Sequence, residues 1–138
     1  MTPTEAKELV NQFENGTLPK EKWTHEAHFV MALWYCCQLP LPLALESIKE
    51  GIKKYNVSVG GQNTGHSGYH ETITLFYTRV IVNYVLQTNT SKPFESKLEG
   101  LWQQEFLQKD FPFKYYSREL LMSEAARKQW MAPDIQPL

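Results

Sequence analysis

Hydrophobic residues along this chain recur mainly at three- and four-residue spacing, the period of a helix that buries one face. Thr2-Pro3-Thr4-Glu5 has the capping-box spacing with proline at the first helical position, and Gly16 stands where a C-terminal cap belongs, which predicts a helix over about 3–14. Thr24 caps a second predicted helix through Gln38, with Trp23 as a hydrophobic staple and Pro40 and Pro42 as the stop. That helix is apolar on nearly every side. Pro42 starts a third, in which Leu45, Ile48, Ile52 and Tyr55 share a face and Glu46, Lys49, Lys53 and Lys54 are left to water.

The segment 70–87 is rich in β-branched and aromatic residues, so propensity alone favours a strand. Periodicity overrules it: Ile73, Phe76, Tyr77, Val80, Ile81, Tyr84 and Val85 form a helical stripe, whereas alternation would turn Arg79 and Asn83 inward. A further helix is expected over about 94–109, and Ser117 and Ser123 are positioned to cap two short ones, the last ended by Pro133. The fold class expected is all-α, one domain over 1–138, a bundle of five or six helices with those at about 24–38 and 70–87 central.

Composition narrows the function classes. The chain has 138 residues, 42% hydrophobic, and 14 basic against 15 acidic residues give a net charge of -1. No basic cluster resembles a nucleic-acid footprint, no apolar run is long enough to span a bilayer, and residues 1–16 lack the apolar centre of a signal peptide. The only cysteines, Cys36 and Cys37, are adjacent and cannot close an ordinary disulfide loop, so they read as packing residues of a cytoplasmic protein. The apolar surplus of the two central helices also leaves room for a homo-oligomer.

The candidate chemistry lies in the histidines. All four, His25, His28, His66 and His70, fall at or just before the starts of the two most apolar helices. His25 and His28 are three apart and project from one helical face, and His70 can join them if the two central helices start at the same end of the bundle. Three imidazoles with an open position would hold a divalent metal, zinc, iron or manganese, and activate water for hydrolysis of a small molecule. Glu71, about 100° further round the helix from His70, is the candidate general base. Arg127 and Tyr116, in a C-terminal segment expected to fold across the histidine end, are candidate substrate contacts. Two other classes stay open. Helix starts, imidazoles and the glycine-rich loop 59–68 suit a non-catalytic module for an anionic small molecule, although the loop lacks P-loop spacing. Alternatively, the histidines are ordinary hydrogen-bonded residues of a helical interaction or scaffold protein.

Trp23-Thr24-His25-Glu26-Ala27-His28, Tyr69-His70-Glu71-Thr72-Ile73-Thr74, and Tyr116-Ser117-Arg118-Glu119 with Ala126-Arg127 and Pro133-Asp134 together resemble a family of small uncharacterised proteins marked by an H-x-x-H segment and a Y-H-x-T-I-T segment. The resemblance spans nearly the whole chain. It implies that His25, His28 and His70 share a site, with Thr74 one turn below His70, and it supplies no reaction.

Overall fold

In the computed structural model, residues 1–87 and 92–138 are described. They form seven α-helices: α1 (Pro3–Asn15), α2 (His25–Gln38), α3 (Leu41–Ser58), α4 (Glu71–Leu86), α5 (Pro93–Leu101), α6 (Arg118–Leu121) and α7 (Glu124–Lys128). Three single 3-10 turns, Lys20–Lys22, Glu105–Leu107 and Phe111–Lys114, complete the regular structure, and no strand occurs among the described residues.

The ends of the helices are set by the residues that the sequence offers. Thr2 and Glu5 exchange side-chain bonds with each other's backbone N–H, and Gly16 closes α1 at φ 70°. Thr24 Oγ1 accepts from Ala27 N at the start of α2, while Ser117 and Ser123 cap α6 and α7 in the same way. Each cap satisfies a backbone donor that the first helical turn leaves unpaired.

α2 and α4 are the central pair. α2 packs against α1, α3, α4 and α5, and α4 against α2, α3, α5 and α7. One hydrophobic core runs through them, including Val30, Leu33, Phe76 and Ile81, each at most 1% exposed. Segment 71–86 is helical despite its strand-like composition. Burying one continuous stripe in a helical core outweighs an intrinsic preference that spans only about 1 kcal/mol.

Two boundaries differ from the sequence reading. The helix expected over 94–109 ends at Leu101, leaves Trp102 half exposed, and gives way to the turn at Glu105–Leu107. The turn brings Phe106 back against Phe29 and Tyr84, a packing that a straight helix would carry away from the core. α7 stops at Lys128, five residues before Pro133, because Gln129 is drawn into an extended conformation, φ -148° and ψ 159°. Its carbonyl accepts the Thr72 hydroxyl at 2.8 Å, and the same hydroxyl accepts Met131 N–H at 3.1 Å.

Three of the buried tyrosines are satisfied on backbone carbonyls. Tyr55 donates to Leu18 O at 2.8 Å, Tyr84 to Lys97 O at 2.7 Å and Tyr116 to Met131 O at 2.6 Å. At the α1–α3 crossing a Cβ on Gly51 would stand 2.7 Å from Phe13 Cε2. Phe13 is 2% exposed and stacked on Trp23 with ring centroids 4.8 Å apart, so it has nowhere to yield. Gly51→Ala should therefore cost about 1–3 kcal/mol net, the overpacking outweighing the roughly 1 kcal/mol that alanine gains over glycine inside a helix. Urea unfolding checks the sign: a stabilised variant would refute the packing argument.

Candidate functional site

The four histidines have four different local roles. His25 begins α2, and its Nε2 donates to Leu107 O at 2.7 Å, across to the turn that follows α5. His28 lies one turn on, its Nδ1 donating to Thr24 O at 2.7 Å and its ring stacked on Trp23 with centroids 3.8 Å apart. Trp23 is thus the staple expected from sequence, and its partner is an imidazole. Because a carbonyl only accepts, the hydrogen of neutral His28 sits on Nδ1 and leaves Nε2 with a free lone pair. Nε2 makes no hydrogen bond among the described residues.

His70 is the N-cap of α4. Its Nδ1 accepts Ile73 N–H at 3.1 Å, and its Nε2 donates to Leu121 O at 2.8 Å. Both ring nitrogens are spent on backbone, and the tautomer is fixed by its partners. His66, in the glycine-rich loop, is exposed and stands 4.0 Å from Glu124.

The structure therefore brings His25 and His28 together in one cavity and commits His70 elsewhere. The cavity, of about 180 Å³, lies between α2, α3 and α4. Its walls are mainly apolar, with Phe29, Met31, Ile48, Ile52, Ile73 and Ile81 among them, and the two imidazoles, Tyr77, Thr74 and Thr78 supply the polar atoms. The Thr78 hydroxyl is turned onto Thr74 O at 2.7 Å. Among the described residues no group of three or more His, Cys, Asp or Glu is placed to hold a metal ion.

Glu71 faces a different cavity. Burial alone would raise its pKa. Bonds from Tyr69 Oη at 2.5 Å and Lys49 Nζ at 3.0 Å, with the positive charges of Lys49 and Lys53, outweigh that and hold the carboxyl below its ordinary value. Arg127 lines the same second cavity and donates to Gly68 O at 2.7 Å. Tyr116 is fully buried, its hydroxyl committed to Met131 O. Lys49 and Lys53, read from the sequence as solvated residues of an amphipathic helix, line the second cavity with Glu71. Their side-chain partners come from the start of α4, Glu71 for Lys49 and the Tyr69 ring for Lys53. Cys36 and Cys37 are free, and burial pushes their thiols up to about 12 and about 11, so neither is a nucleophile at neutral pH.

No family model, curated protein or solved structure matches the chain. The reading of the site rests on its geometry.

Burial holds the pKa of both His28 and His70 below the ordinary histidine value, and in each case a bond to a backbone carbonyl opposes the shift. The unfolded chain therefore takes up these protons first. Stability is whole above the unfolded value of about 6.5 and declines as pH falls below it toward the folded values. Protonating His70 also destroys the acceptor that caps α4. His70→Asn keeps a capping oxygen without titrating. The variant should lose about 1–3 kcal/mol at pH 7 through the orphaned Leu121 carbonyl, and its stability should fall less steeply from pH 7 to 5. Denaturant midpoints across that range test this; an unchanged slope would refute the capping role.

Proposed function

We propose that this chain binds a small molecule in the cavity between α2, α3 and α4, with His28 as the polar anchor. The observation that carries the reading is the state of the His28 ring. Its Nδ1 is held by Thr24 O, and its Nε2 is an unshared acceptor on an imidazole that lines an otherwise largely apolar cavity. Burial keeps the ring neutral near pH 7. A mostly apolar pocket with a few fixed polar groups is the usual form of a small-molecule site.

The volume bounds the ligand. A cavity of about 150 Å³ holds one benzene ring, so about 180 Å³ admits a single ring or a short branched chain with a small substituent. The substituent that completes the site is a donor, a hydroxyl or N–H, directed at His28 Nε2. An imidazole in this tautomer also takes a proton from a bound hydroxyl, so general-base chemistry is the reaction that the anchor suits. The metal-dependent form suggested by the sequence would be built on the two uncommitted ring nitrogens, His25 Nδ1 and His28 Nε2, with ligand or water completing the shell.

Phenol and toluene differ by the donor alone and serve as probes. Calorimetric titration should show phenol bound more tightly than toluene, and His28→Phe should weaken phenol about tenfold while leaving toluene unchanged. Equal affinities in the unaltered protein, or a variant that binds phenol normally, would overturn the reading. Stoichiometric zinc, iron or manganese in protein purified without a histidine tag, lost in the same variant, would select the metal-dependent form.

A further inference from the structure

The second cavity has a different character. It measures about 400 Å³ and is lined by four cationic side chains, Lys49 and Lys53 from α3 and Arg127 and Lys128 from α7, against one carboxylate, Glu71. Not all of that positive charge is answered. Lys49 pairs with Glu71 at 3.0 Å, and Lys128 pairs with Glu124 at 2.7 Å. Lys53 makes no ion pair among the described residues; its ammonium lies 4.8 Å from the centre of the Tyr69 ring. Arg127 spends a donor on the neutral carbonyls of Gly68 and Tyr69, which leaves its charge uncompensated.

The frame that holds these groups is tied down at several points. Asn63 donates from Nδ2 to Lys53 O at 3.0 Å and accepts Tyr69 N–H on Oδ1 at 3.1 Å, joining the glycine-rich loop to α3 and to the start of α4. Gly65 of the loop lies against the side-chain ends of Glu124 and Lys128 of α7. The cations thus reach one polar cavity from two helices, facing each other across bonded backbone.

We propose that this cavity is a binding site for a phosphate-type dianion, either the free ion or a phosphoryl group carried by a small molecule. Two unpaired cations of opposite origin match a doubly charged oxyanion, and Arg127 offers a planar fork suited to its oxygens. Glu71 does not oppose the ligand strongly, since its charge is already bound by Lys49 and the Tyr69 hydroxyl. The site is separate from the His28 cavity and stands or falls without it.

Inorganic phosphate is the probe, titrated calorimetrically at constant ionic strength made up with chloride. Saturable binding is expected, with Lys53→Gln weakening it about tenfold. Lys54→Gln removes the same charge from the neighbouring residue of α3, which does not line the cavity, and should leave affinity within about twofold. His28→Phe should leave it unchanged. Absence of saturation at millimolar phosphate, or equal losses in the two lysine variants, would overturn the site. Glycerol phosphate in the same titration identifies the source: tighter binding than inorganic phosphate marks a carried phosphoryl group, and weaker binding marks the free ion.

Discussion

The arrangement depends on a polar lock at the start of α4. His70 uses one ring nitrogen to cap that helix and the other to hold the carbonyl of Leu121, while Thr72, two residues on, binds both Gln129 O and Met131 N. Both side chains are buried, Thr72 completely. Satisfied in this way, buried polar groups act as positional constraints, because any other placement of the C-terminal segment would strand donors and acceptors in an apolar surround. The lock explains why α7 ends where it does and why Arg127 lies beside the glycine-rich loop.

The same lock separates two chemistries that are adjacent in sequence. His70 is withdrawn from the cavity that His25 and His28 line, and Glu71 turns to the opposite side, into the cluster of Lys49, Lys53 and Tyr69. α3 divides likewise. Ile48 and Ile52 line the histidine cavity, and the residues immediately after each, Lys49 and Lys53, line the cationic one. A step of one residue turns a helix by about 100°, so one amphipathic helix presents an apolar pair and a charged pair to two neighbouring spaces. Tyr69 belongs to the cationic cavity, its hydroxyl on Glu71 and its ring under Lys53.

Among the histidines, tautomer does more than proximity. His28 and His70 both bond a backbone carbonyl, but His70 also accepts a backbone N–H and His28 does not. One is therefore a structural cap and the other has a lone pair to offer a ligand. Nothing in the spacing of the two motifs distinguishes them, since each lies at a helix start and each is followed by an apolar stripe.

Local features were legible in the chain because their causes are local. Thr2, Thr24, Ser117 and Ser123 cap helices through bonds to residues three positions away, and the stripe from Ile73 to Val85 specifies a buried helix whatever lies beside it. The pairing of His25 with His28 follows from spacing on one helix. The partners of His70, Glu71 and Arg127 are up to 59 residues distant, and for His70 and Arg127 they depend on where the C-terminal segment crosses α4. The fate of Lys49 and Lys53, which periodicity alone assigns to water, depends instead on where the start of α4 meets α3. Sequence determined the helices, their caps and the central pair, since these are set by near neighbours; tertiary structure decided which polar groups share a cavity, because that is a matter of long-range hydrogen bonds satisfied only when the whole bundle closes.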